Sequence, residues 1–168
     1  MMIAVEIATV MLVAIATGLV LAHALKYRGK LRLKKDEYFT TQRIYISRVH
    51  DRRHCRAAGL ILLVVLLLLA PVGSVRFWLT AGALAAFATM HATYWLATHP
   101  VNNFWLKDFE LKGAGKRFFS FDPLTRAAGG AVPDWTHLRD RWEHSHIVRA
   151  ALGMTSMCLL VAAVAYGQ

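Results

Sequence analysis

Residues 57–98 read AAGLILLVVLLLLAPVGSVRFWLTAGALAAFATMHATYWLAT, two apolar runs separated by a Pro-Val-Gly-Ser-Val-Arg turn at 71–76. Each run, 57–75 and 77–98, is close to the roughly 20 residues a helix needs to cross a bilayer. Hydrocarbon offers no water to backbone N–H and C=O groups, so runs of this length are read as helices. Pro71 and Gly73 punctuate the turn. Outward from this pair lie two further runs, 3–25 and 147–166. The expectation is all-α: one membrane domain over residues 1–168, a transmembrane four-helix bundle with long loops at 26–56 and 99–146.

A composition that is 57% hydrophobic with a formal net charge of +10 makes sense once the charges are placed. Eleven of the 20 Lys and Arg lie between Lys26 and Arg56, and seven between Lys107 and Arg141. The positive-inside rule makes both loops cytoplasmic. Four spans then put both termini outside the cytoplasm, in a multi-pass protein of the bacterial inner membrane. Anionic lipid headgroups are the expected partner of the loops. Nucleic acid is not, because the charges flank apolar helices instead of forming a dedicated arm. Ala22-His23-Ala24 has the look of a signal-peptidase site, but no positive charge precedes the first run and Glu6 sits near its start, as in an uncleaved span. Glu6 itself reads as a charge in the outer interface, compatible with the helix dipole. Cys55 in a loop and Cys158 in a span indicate neither a disulfide framework nor a Cys-based zinc site.

Within the loops, residues 36–54 place Tyr38, Phe39, Tyr45, Ile46 and Val49 at helical spacing, with Asp36 as N-cap, and read as an amphipathic helix at the interface. The second loop carries Phe118 to Phe121, Gly129-Gly130 and Pro133, after which a helix capped by Asp134 runs unbroken into the fourth span. Ala14, Gly18 and Ala22 form a small-residue stripe suited to close helix approach. Residues 60–69, without a polar group, are expected to face lipid more than the other spans.

Ionisable residues inside spans are costly and are functional candidates by default. His91 is followed at offsets of three, four, seven, eight and eleven by Tyr94, Trp95, Thr98, His99 and Asn102, one stripe at 3.6 residues per turn. Trp142, His146 and Arg149 share a face of the fourth helix, and His23 ends the first. Topology brings these ends to the cytoplasmic side, where they are expected to line a polar pocket covered by Gln42 and Tyr45. Interfacial anchoring is the plainer reading of His99, Trp105 and Trp142. Glu143 and His146 match the Glu-x-x-His of di-iron bundles, but no second copy exists. His50 and His54 have clip spacing amid arginines that oppose a cation. Two histidines, His91 with His23 or His146, are spaced compatibly with axial ligation of a haem, though nothing demands it. No metal ligand set and no cofactor is assigned.

Leu21-Ala-His-Ala-Leu25, Tyr38-Phe-Thr-Thr-Gln-Arg-Ile-Tyr45, His99-Pro-Val-Asn102 and Arg141-Trp-Glu-His-Ser-His-Ile-Val-Arg149 together resemble the anthrone oxygenase-like family of small four-span membrane proteins, in its uncharacterised bacterial branch. The resemblance covers nearly the whole chain and implies oxidation of a polycyclic phenolic ketone by O₂ without metal or flavin. Such chemistry needs a base titrating near neutrality, which His91 or His146 supplies. It needs donors for the enolate oxygen, which Arg149 and Asn102 supply. His23, Gln42, Tyr45, Tyr94, Trp95, His99 and Trp142 are the expected substrate-binding residues, Tyr94, Trp95 and Trp142 as flat walls. The rival readings are an accessory subunit of a larger membrane complex and a haem- or metal-binding membrane protein.

Overall fold

The computed structural model describes residues 2–46, 53–105 and 134–166, and among these every regular element is helical. In chain order they are α1 (Met2–Ala24), α2 (Tyr27–Lys30), α3 (Lys35–Ile46), α4 (Arg53–Leu69), α5 (Val75–Thr93), a π-helical turn (Tyr94–Thr98), α6 (His99–Trp105) and α7 (Trp135–Ala165). Two segments, Met2–Lys30 and Trp135–Ala165, are long and apolar enough to cross a membrane. The four long helices pack in a ring, α1 against α4, α4 against α5, α5 against α7 and α7 back against α1.

The turn between α4 and α5 forms as its residues dictate. Gly73 takes a positive φ of 81°, and Ser74 caps α5 by accepting the Phe77 N–H at 3.1 Å. Two expected caps are replaced. At α3 the Lys34 N–H donates to Glu37 Oε2 at 2.9 Å, so Glu37 and not Asp36 satisfies an orphan donor. At α7 the Asp134 carboxylate accepts from the Thr136 hydroxyl instead of a backbone N–H.

The core is made by the inward faces of the ring: Val13, Leu63, Leu66, Phe87, Met90 and Leu160 are each at most 2% exposed. The leucine run therefore does not simply face outward. Its helical period buries Leu63 and Leu66 and exposes Ile61, Val64 and Leu68. The close helix approach also lies elsewhere than expected. Nothing stands within 4 Å of a Cβ built at Gly18, which is exposed, whereas at Gly153 of α7 a Cβ would meet Thr17 Oγ1 at 2.9 Å and Met90 Sδ at 3.2 Å. Gly153 is thus where α7 nests against α1 and α5. Glu6 is buried and ion-paired with Arg76 at 2.5 Å, which ties α1 to the α4–α5 turn.

The π-helical turn decides how the other end is arranged. His99 N–H reaches back five residues to the Tyr94 carbonyl. Pro100 has no N–H to give the Leu96 carbonyl, and Arg141 of α7 donates to that carbonyl at 2.8 Å. The wider turn re-registers the stripe. Tyr94, Thr98, His99 and Asn102 are buried, while Trp95 is rotated outward and 42% exposed.

Candidate functional site

Trp142 is the centre of a buried polar cluster at this end. Its Nε1–H donates to Asn102 Oδ1 at 2.7 Å, the His146 ring stacks on it at 3.9 Å, the His23 ring meets it edge-on at 5.6 Å, and the Lys30 ammonium lies 4.5 Å from its centroid. His23 and His146 are in ring contact at 4.9 Å. α1, α6 and α7 therefore meet at this end of the ring. Trp142 is only 2% exposed and is a hub of the interior. The anchoring role weighed for Trp142, His99 and Trp105 does not describe them, since all three are buried.

Directly beside Trp142, Glu143 is fully buried. Its carboxylate accepts the Tyr38 phenol at 2.9 Å and pairs with Lys30 at 3.3 Å. Burial first, and then the negative Glu143, push the Tyr38 phenol well above its ordinary range. Removing one partner of such a pair costs about 3–5 kcal/mol, because the other charge is left buried and alone. Neither Lys30 nor Tyr38 was legible as a partner of Glu143, because their meeting depends on how residues 25–34 fold back over α7. Tyr38 and Gln42, four residues apart on α3, are both fully buried. The Gln42 amide has no hydrogen-bond partner among the described residues.

A third group lies one turn further along α7. Thr98 and Ser145 share a hydrogen bond of 2.8 Å, Arg149 NH1 donates to Thr98 Oγ1 at 3.4 Å, and the Arg149 guanidinium lies 5.0 Å from the Tyr94 centroid. Arg56 lies over the same ring at 5.2 Å, and the Tyr94 hydroxyl contacts His99 Nδ1 at 3.4 Å. Trp95 touches His99 by its ring edge, 4.8 Å between centroids, from the exposed side.

His91 Nδ1 donates to the Phe87 carbonyl at 2.9 Å, and the ring packs on Phe87 at 4.8 Å. With the proton held there, Nε2 is the basic nitrogen, and it is buried without a partner. His146 has the same arrangement, its Nδ1 donating to the Trp142 carbonyl at 2.9 Å.

Chemically, the cluster offers an oriented base at His91, cationic donors at Arg149 and Arg56, and an aromatic surface at Tyr94. Asn102 gives its amide oxygen to Trp142, which orients the side chain and leaves the amide nitrogen as its donating end. Thr98 lay on the stripe drawn from His91, whereas Arg56 and Ser145 join the set only through packing; Arg56 sits beyond the apolar run and carries no motif. Among the described residues no three His, Cys, Asp or Glu side chains gather as a metal ligand set. Glu143, tested above as a di-iron ligand, is bound to Lys30 and Tyr38. The side chains of Tyr45 and His54, residues Val49 and His50, and the segment Phe118 to Phe121 with Gly129, Gly130 and Pro133 lie outside the described residues. Compared with protein-family models, curated proteins and solved structures, the chain matches none.

Proposed function

We propose that the chain is a four-span protein of the bacterial inner membrane, with its basic loops in the cytoplasm, that oxidises an anthrone-like aromatic substrate with O₂ and no cofactor. Large apolar side chains on the outer faces of the ring support the membrane part: Ile7 on α1 is 60% exposed, Ile61 and Leu68 on α4 are 63% and 79%, and Trp78 on α5 is 66%. Each would cost on the order of 1.5–3 kcal/mol facing water instead of hydrocarbon. The resemblance to the anthrone oxygenase-like family supports the reaction.

The single observation that carries the chemistry is His91, whose Nδ1–H is committed to a backbone carbonyl while Nε2 is buried and unpartnered. Nε2 takes a proton from the ring methylene that lies across the central ring from the substrate carbonyl, and the charge is delocalised through the fused rings onto the carbonyl oxygen. Arg149 and the Asn102 amide stabilise the enolate oxygen that forms. The carbanion passes one electron to O₂, the resulting radical pair joins as a C–O bond, and the peroxide loses water as the second methylene proton leaves. One methylene becomes a carbonyl, and one O₂ becomes that carbonyl oxygen and one water. His146, stacked on Trp142 and touching His23, is the positioning residue of the neighbouring wall.

The test is O₂ uptake with anthrone, using the purified full-length chain and correcting for spontaneous oxidation. The expected stoichiometry is one O₂ per anthrone. His91→Ala should lower the rate by about 10²–10⁴, the usual contribution of a general base. A His91→Ala protein that is folded and oxidises anthrone at the unaltered rate would remove His91 as the base, and absence of uptake in the parent protein removes the reaction.

A further inference from the structure

The segment that follows α1 sorts its charges by burial. Between Leu25 and Tyr38 six residues are basic, Lys26, Arg28, Lys30, Arg32, Lys34 and Lys35, against two acidic ones, Asp36 and Glu37. Of the six, Lys30 alone turns inward, 4% exposed and paired with Glu143 at 3.3 Å, while the others are exposed. Three inward contacts hold this stretch in place. The Tyr27 ring meets the His144 ring at 5.6 Å, Lys30 meets Glu143, and Leu33 packs on the cluster of Tyr38, Trp105 and Trp142. Backbone bonds continue the helical path between them, Lys30 N–H to the Lys26 carbonyl at 3.1 Å, Leu31 to Tyr27 at 3.1 Å and Arg32 to Gly29 at 3.2 Å. The exposed cations are thus displayed from an anchored backbone.

Position tells what they meet. α1 has 23 residues, about 34 Å at 1.5 Å per residue, a little more than the roughly 30 Å of bilayer hydrocarbon. Leu25, 77% exposed, is the last apolar residue before the cations begin. A phospholipid supplies both sides of such a boundary, acyl chains for exposed residues such as Leu25 and a phosphodiester for the guanidinium forks of Arg28 and Arg32. A free phosphate or a nucleic acid supplies only the second. The basic residues at the start of α7 are used differently. Arg139 pairs with Asp140 at 2.8 Å and lies over Trp135, and Arg141 donates to the Leu96 carbonyl. Lys35 lies over the Phe39 ring at 5.9 Å, which leaves Arg28, Arg32 and Lys34 as the set with the strongest outward charge.

We propose that Arg28, Arg32 and Lys34 form a headgroup site that holds an anionic phospholipid of the phosphatidylglycerol kind as a discrete ligand. This rests on the membrane part of the reading above and is independent of the oxygenation. The test is native mass spectrometry of the full-length chain released from neutral maltoside micelles that contain equal amounts of dioleoylphosphatidylglycerol and dioleoylphosphatidylcholine. A cation at an anionic headgroup is worth about fivefold in affinity, so the three should favour retention of phosphatidylglycerol by about 10–100-fold. The triple variant Arg28→Gln, Arg32→Gln, Lys34→Gln should bring that ratio near one. Lys112→Gln, Lys116→Gln, Arg117→Gln, with the same loss of charge in the second loop, should leave it in place. A parent ratio near one overturns the site, and so does an equal fall in both triple variants, which is general attraction and no site. Inorganic phosphate or a single-stranded oligonucleotide that displaces phosphatidylglycerol at equal phosphate concentration overturns the lipid as its occupant. Should the site variant differ from the parent in helical content by circular dichroism, Arg28→Gln and Arg32→Gln decide singly, each with a loss of about fivefold, and unchanged ratios there overturn the proposal. A parent chain that stays folded and monodisperse without detergent removes the four-span reading itself, a different failure from a lost lipid preference.

Discussion

Replacing Glu143 by Gln removes a buried negative charge and changes almost nothing else in size. The Tyr38 phenol can still donate to the amide oxygen, but the Lys30 ammonium, 4% exposed, loses the Glu143 carboxylate and retains the Trp142 face at 4.5 Å. Leaving one charge of a buried pair alone costs about 3–5 kcal/mol, and the residual cation–π contact is worth about 2 kcal/mol at most when desolvated. At about 2–4 °C per kcal/mol for a chain of this size, Glu143→Gln should unfold about 6–20 °C earlier. The second half of the cycle is the sharper one. Lys30→Met alone leaves the carboxylate unpaired and should also destabilise, whereas Glu143→Gln with Lys30→Met removes both charges and should recover most of the loss. Thermal unfolding followed by circular dichroism in one detergent measures all four proteins. A Glu143→Gln protein within about 1 kcal/mol of the parent, or a double variant no better than the worse single one, would refute the buried pair.

The raised Tyr38 phenol and the packing of Gly153 make further predictions. The phenol stays protonated in the folded state at a pH where an unfolded tyrosine ionises, so its contribution is intact below pH 10 and is lost as pH rises above it. Unfolding free energy should therefore fall more steeply above pH 10 in the parent than in Tyr38→Phe, by about 1.4 kcal/mol per pH unit, and parallel profiles would count against the assignment. Gly153→Ala forces a methyl into Thr17 and Met90 and should destabilise by about 1–3 kcal/mol, whereas Gly18→Ala meets open space and should stabilise by up to about 1 kcal/mol. Thermal unfolding of the two variants should move in opposite directions, and a shift of the same sign in both contradicts the packing described.

The four apolar runs are all helices, because a long unbroken run leaves the backbone little else to do. Their ends are less legible. α4 starts at Arg53, among basic residues before the run, and α7 starts at Trp135, twelve residues before its own, because a helix continues wherever its side chains find partners. The meeting of His23, Asn102, Trp142 and His146 followed from which helix ends share a side. The rotation of Trp95 did not follow, since a stripe drawn at 3.6 residues per turn has no place for the π-helical turn that Pro100 and Arg141 accommodate. Nor did Glu143 with Lys30 and Tyr38, or Arg56 with Arg149. These contacts join segments whose paths are set by packing, and no spacing encodes them. Small residues misled in the same way: Gly18 belonged to a regular stripe and Gly153 to none, yet only Gly153 is enclosed.

The pair of Glu6 and Arg76 has a consequence for biogenesis. On the four-span reading, Arg76 is the sole basic residue in the turn that must be carried across the bilayer, against the usual bias that retains positive charge. Joined to Glu6, the same turn moves as an electrically neutral hairpin tip. The amino-terminal helix thus carries the counter-ion of a turn that belongs to the second and third segments.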